Sequence, residues 1–206
     1  MPKILSIAAF ALLAAGPALG QESPQTSIDQ IAGASRVTIT QSGAGNLARV
    51  DQSQGSGEVD LSQSGSDENA AITQQGSGYG AANLTQSGEG DSATLSQQGG
   101  DNLLSLTQLG IGDRAALTQQ APPGGGNFAS LAQSGSGDSL SLTQTGDANS
   151  ANQSQFGDND SQSLTQTGER NQASYTQIGD NLPDLSITQT GGASATILQT
   201  GSPFGH

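Results

Sequence analysis

The chain has 206 residues, 32% hydrophobic and 3% aromatic, with 30 glycines, no cysteine and no tryptophan. So little apolar mass lies near the composition of disordered chains, and the lack of cysteine excludes disulfides and thiolate metal sites. Five lysines and arginines within a net charge of −13 argue against a phosphate-binding surface and nucleic-acid partners, and favour a soluble, self-repelling monomer.

Residues 1–20 differ from everything after them. Lys3 supplies a short positive region, and Ile4 to Ala15 form an apolar run. Ala18 and Gly20 place small residues before a cut at Gln21. This reads as a secretory signal peptide, too short for a spanning helix with a stop-transfer flank. Residues 21–34 are polar and read as a short N-terminal arm outside the pattern that follows.

From Ser35 to Gly201 one phrase returns: apolar-x-Gln-x-Gly. Its anchors are Gln41, Gln52, Gln63, Gln74, Gln86, Gln97, Gln108, Gln119, Gln133, Gln144, Gln155, Gln166, Gln177, Gln189 and Gln199. Ten of the fourteen gaps are 11 residues, and the others are 12, 14, 12 and 10. A short fixed period marks a repeat architecture. Two residues before each anchor the chain is apolar, as at Leu106 and Leu142, except at Gln153. Two residues after it comes glycine, except at Gln54 and Ala121. Six residues before it stands Asn or Asp in many units, among them Asn46, Asp91, Asp113, Asp138, Asn149, Asp160 and Asn171.

The small or apolar residues at −4 and −2 share parity with the glutamine, whereas their odd neighbours are Ser, Thr or charged. Period-two alternation predicts a β-strand with one buried face. Glycine at +2 and Asn or Asp at −6 tolerate positive φ and bracket the strand as turn residues. Each unit is one strand plus one turn. Consecutive units then face each other as a rung, and rungs stack at about 4.8 Å. The fold class is all-β, a β-solenoid of seven to eight rungs roughly 35 Å long. Buried glutamines satisfy their amides by laddering between rungs. The long gap holds Ala121-Pro122-Pro123-Gly124-Gly125-Gly126 and reads as a surface loop in one continuous domain, since Pro cannot donate to a ladder.

These residues resemble curlin repeats. Ser35-x5-Gln41-x-Gly43-x2-Asn46-x-Ala48-x3-Gln52 fits that pattern at every fixed place. The Gln144–Gln155 and Gln166–Gln177 units, with Asn149 and Asn171, fit its Gln-to-Gln portion. The resemblance covers residues 35–201. It implies a solenoid subunit of curli-like amyloid, secreted through an outer-membrane pore and assembled into extracellular fibres of a biofilm matrix. It also implies a nucleator subunit as partner. No basic C-terminal repeat is present, which favours a main subunit over a nucleator.

Function follows from the ends. An uncapped solenoid exposes unpaired backbone at both ends, and stacking last rung on first gives an open filament. The arm and residues 202–206 make slim caps. The glutamine anchors with Asn46, Asn149 and Asn171 are the expected self-assembly set. The acids Glu58, Asp60, Asp67, Glu68, Glu89, Asp91, Asp113 and Glu169 read as outward or turn charges that slow premature stacking. The sequence offers no catalytic, metal or cofactor set and no small-molecule substrate site. The single histidine, His206, stands at the chain end, away from any nucleophile pair. A monomeric module that binds ice or polysaccharide is the alternative, because Thr or Ser precedes the anchor in twelve of fifteen units. A calcium-binding β-roll fits less well, since its repeat is shorter and richer in Asp.

Overall fold

The computed structural model describes residues 8–14, 23–30, 35–53, 56–76 and 78–201. All regular structure among them is β-strand. The strands follow the expected units: β1 (Ala8–Ala14), β2 (Gln25–Gln30), β3 (Arg36–Ala44), β4 (Leu47–Ser53), β5 (Ser56–Ser66) and β6 (Asn69–Gln75). Then come β7 (Tyr79–Glu89), β8 (Ser92–Gly99), β9 (Leu103–Ile111), β10 (Arg114–Ala121), β11 (Phe128–Ser136) and β12 (Ser139–Asp147). The last are β13 (Ser150–Asp158), β14 (Ser161–Glu169), β15 (Gln172–Ile178), β16 (Leu185–Thr190) and β17 (Ser194–Thr200).

Odd-numbered strands form one sheet of nine, and even-numbered strands form another of eight. Every pairing is parallel, and the repeat sets its register: Leu84, Leu106 and Leu131 align, as do Gln86, Gln108 and Gln133. Strands β2 to β17 make a β-solenoid of about eight turns. A shift by one residue would turn the core leucines outward, so the alternating pattern fixes the register.

Between the sheets lies a thin core. Val37, Ile39, Leu84, Leu95, Leu104, Leu106, Leu117 and Leu142 are buried in it, with alanines at the narrower places. The wider core positions are apolar with one exception. Gln153 is fully buried between Leu131 and Tyr175 in the ladder. Both of its polar side-chain atoms, Gln162 Oε1 and the Tyr175 hydroxyl lack hydrogen-bond partners.

Three details differ from the sequence reading. The segment read as an arm holds β2, where Ile28 aligns with Val50 and Gln30 with Gln52. It is a further repeat unit, hidden because Ala32 stands where the phrase has glycine. Ala8–Ala14, within the segment read as a leader, runs as β1 beside β3. The residues around the expected cut (15–22), the tail 202–206 with His206, and Gln54 lie outside the described residues.

The third difference concerns the turns. The left-handed residue sits seven before the anchor, at Gly45, Asp67, Gly90, Gly112, Ala148, Asn159 and Arg170. The Asn or Asp at −6 points inward and is buried. The −6 side chain is chosen for the hydrogen bonds it makes between rungs. The glycines at +2 have two reasons to be glycine. Gly135 has a φ of 149°, and a Cβ there would land on the carbonyl oxygen of Gly157 in the next rung. By contrast, Gly112 has a φ of 71° and open space around it.

The long insertion behaves as the expected loop. Gly125 N donates to Pro122 O, and Asn127 resumes the inward column beside Asn102. Strands β9 and β11, on either side of it, stay in register.

These contacts set three measurable outcomes, all read from urea unfolding followed by β-sheet circular dichroism. Gly112→Ala costs about 1–2 kcal/mol, the strain of a left-handed alanine. Gly135→Ala costs about 3 kcal/mol or more, because backbone of two rungs must move apart. Gln153→Leu stabilises by about 1–3 kcal/mol, the desolvation cost of the groups it removes.

Candidate functional site

The repeated glutamines lie on the buried face of successive strands and form two continuous amide ladders. In the odd sheet, the Nε2 of Gln41 donates to Gln63 Oε1, and the chain of bonds runs on through Gln86, Gln108, Gln133, Gln155 and Gln177 to Gln199. These distances are 2.8–3.2 Å. In the even sheet the ladder runs from Gln52 through Gln74, Gln97, Gln119, Gln144 and Gln166 to Gln189, at 2.5–2.9 Å. Every anchor named from the sequence therefore belongs to one of the two ladders.

The amide's second N–H has its own partner, which the repeat phrase did not reveal. Gln86 Nε2 also donates to Asn69 O, Gln108 Nε2 to Ser92 O, and Gln144 Nε2 to Phe128 O. Each accepting carbonyl belongs to the first residue of the preceding strand, in the other sheet. One side chain thus ties a rung to the next rung and also clamps its own corner. Glutamine's length and two-donor amide suit this task, and neither leucine nor glutamate can do it.

Asparagines make a third ladder at one corner of the rung. Asn102 Oδ1 accepts from Asn127 N, Asn127 Oδ1 from Asn149 N, and Asn149 Oδ1 from Asn171 N, at 3.1–3.2 Å. Their Nδ2 groups donate to turn carbonyls, for instance Asn149 to Gly168 O at 2.9 Å and Asn171 to Thr167 O at 3.0 Å. Asn46 does the same work at the opposite corner, where its Oδ1 accepts from Glu68 N.

The acids read as outward charges divide into two sets. Glu89 and Glu169 are exposed, and Asp67 occupies a left-handed turn position. Glu58 and Asp60 pair with Arg36 on the neighbouring strand, an exposed contact of small energy. Glu68, Asp91 and Asp113 are instead fully buried, at 0% exposure, which corrects their reading as surface brakes. They occupy the inward −6 position, whose parity matches the anchor's.

At the C-terminal end among the described residues, β16 and β17 each pair on one side only. Their inward residues Leu185, Ile187, Ala195 and Ile197 are only partly buried, unlike the same positions in mid-stack. The ladders give the stack a polarity, because each amide donates toward the C-terminal rung. Gln41 Oε1 at the other end accepts from Thr26 Oγ1. The outer faces differ in chemistry. On the even sheet Ser139, Ser141, Thr143 and Thr145 lie beside Ser161, Ser163, Thr165 and Thr167. On the odd sheet Leu109, Phe156 and Ile178 share one exposed column.

Removal of a ladder amide should cost far more than a surface polar residue. Gln108→Ala strands the Gln86 amide N–H that pointed at it and the Gln133 oxygen and Ser92 carbonyl that it served. The expected loss is about 3 kcal/mol or more, from several buried groups at about 1–3 kcal/mol each. Thr107→Ala, one residue away on the outer parity, should change stability by less than about 0.5 kcal/mol. Urea midpoints of the two variants decide this.

Residues 81–110 match the family model of the curlin associated repeat. No curated protein and no solved structure matches the chain. The matched stretch covers β7 from Ala81, β8, and β9 as far as Gly110. The units on both sides of it continue the same register, amide ladders and inward parity. Residues 81–110 are therefore similar to a curlin associated repeat, and the flanking units extend the same pattern along the chain.

Proposed function

We propose that this chain is a structural subunit of a curli-like extracellular amyloid fibre. The observation that carries this reading is the C-terminal end face of the described residues: β16 and β17 have no outer partner among them, and the core is left half-covered at Leu185, Ile187 and Ile197. Such an edge is a template for another strand in the same register. The ladder polarity selects head-to-tail stacking, because donors on one end meet acceptors on the other. A contact of that kind repeats without closing and yields a filament.

The chain is exported by its leader through an outer-membrane pore and begins assembly on a nucleator subunit. Loss of the leader takes β1 with it and leaves β3 as the edge of the odd sheet. The fibres then serve adhesion and the biofilm matrix. The work is mechanical, and the repeat is its site: the glutamine anchors with Asn46, Asn149 and Asn171 supply the cohesion within and between subunits. The hydroxyl array on the even sheet favours a second reading, a monomeric module that binds polysaccharide or ice. Thermal hysteresis from a soluble monomer would select it.

Incubation of the chain from Gln21 onward with an amyloid dye, followed by electron microscopy, tests the main reading. Unbranched filaments with seeded growth are expected. Persistent monomers over days would overturn it. Ile197→Asp places a charge on the open end and should slow seeded elongation at least about tenfold, the effect of an unpaired charge in a desolvated contact. Ser141→Asp, outward and mid-stack, should elongate near the wild-type rate.

A further inference from the structure

Asn and Asp alternate along the chain at the inward −6 position, and the fold sorts them by corner. One corner carries Asn102, Asn127, Asn149 and Asn171. The opposite corner carries Asn46 and then only acids: Glu68, Asp91, Asp113, Asp138 and Asp160. All five acids are buried, at 0–1% exposure.

The aspartates copy the asparagine ladder with one of their oxygens. Asp91 Oδ1 accepts from Asp113 N, Asp113 Oδ1 from Asp138 N, Asp138 Oδ1 from Asp160 N, and Asp160 Oδ1 from Leu182 N, at 2.8–3.0 Å. The other oxygen of each aspartate is buried without a partner, and the buried Glu68 carboxyl faces the Asp91 backbone N–H. In Asn46, at the head of the same column, the equivalent atom is Nδ2. It donates to Ser42 O and Gly65 O. The second carboxyl oxygen therefore stands where this fold supplies acceptors. A carboxylate there repels its surroundings, whereas a protonated acid can donate as the amide does.

We propose that this column is a set of proton-binding sites: the solenoid folds with these acids neutral, so folding takes up protons and mildly acidic surroundings promote it.

Among the described residues no cation offsets the column. The charges acting on it are its own members together with Asp67, Asp158 and Asp180 on the adjoining turns. Arg114 follows Asp113 in the chain but lies on the outer face. Burial first, and then these neighbours, push Glu68 up to about 8, Asp113 to about 7 and Asp138 to about 6. Burial raises Asp91 and Asp160 as well. The folded chain therefore binds more protons than the unfolded chain, whose acids titrate near 4. The stabilisation is full below about pH 4 and is lost as pH rises through about 6 to 8, the reverse of an ion-paired carboxylate. A metal explains the column less well, because no three acids among the described residues converge on one point.

Proton-linked folding stands apart from fibre growth. The test is urea unfolding of the full chain from pH 5 to pH 8, read by β-sheet circular dichroism, with sedimentation to separate monomer from fibre. The wild-type folding constant should fall by about a hundredfold or more over that range. Glu68→Gln with Asp91→Asn, Asp113→Asn, Asp138→Asn and Asp160→Asn should remove most of the fall. Glu89→Gln with Glu169→Gln and Asp184→Asn, at exposed acids, should leave it in place. If the five-site variant does not fold, Asn149→Asp with Asn171→Asp supplies the reverse test and should steepen the pH dependence. Infrared absorption of protonated carboxylic acid should persist in the folded wild type at pH 6. A flat wild-type profile, an unchanged slope in the five-site or reverse variant, or a slope abolished by the surface variant overturns the proposal. A pH-dependent fold that never elongates would overturn the fibre reading and leave the proton sites standing.

Discussion

The structure depends on stacking identical side chains at the strand spacing. A glutamine placed above another glutamine finds a donor and an acceptor at the distance that a parallel sheet imposes. Buried amides are otherwise expensive in an apolar interior. Here they meet that cost by repetition, since Gln86, Gln108 and Gln133 satisfy one another in sequence. This is why a chain with so few large apolar residues can hold a defined core. The leucines supply the hydrophobic contact, and the glutamines fix which residue lies over which.

Repetition also spreads the stability along the stack. Each rung touches its neighbours and little else, so the energy resembles a sum of rung and interface terms. A rung at an open end lacks one interface. The partial burial of Ile187 and Ile197 beside the full burial of Leu164 shows this directly. In the proposed fibre, a second copy completes for the last rung what the molecule already does for each inner rung. The amide polarity adds direction to that contact. End-to-end stacking of the proposed kind leaves the hydroxyl and apolar outer faces uncovered.

The two corners solve one structural task with different chemistry. Asparagine at one corner ties rung to rung at any pH. The acid column at the other makes the same tie through one carboxyl oxygen, and its second, buried oxygen favours a bound proton. Its repulsion, with that of Asp158 and Asp180 close by, weakens as protons bind. Charge control of this kind lies inside the fold, whereas the exposed acids such as Glu89 and Glu169 act mainly through net charge.

The sequence by itself determined the period, the strand parity, the glutamine ladders and the solenoid, because each follows from local alternation repeated in phase. Leu106 inward, Thr107 outward and Gln108 inward could be read from one phrase. Only the tertiary structure decided what depends on the corner. Positions −6 and −7 are neighbours in sequence, and both accept Asn and Asp, so sequence alone did not separate the buried Asp91 from the turn residue Asp67. The sorting of amides to one corner and acids to the other has a 22-residue spacing, as in Asp91 to Asp113, which becomes meaningful once odd and even strands belong to different sheets. The unit at Ile28 and Gln30 escaped the phrase because its glycine is missing, and pairing with β4 restored it. Local pattern specifies how a strand presents its faces; which faces meet, and at which corner, is fixed when the rungs stack.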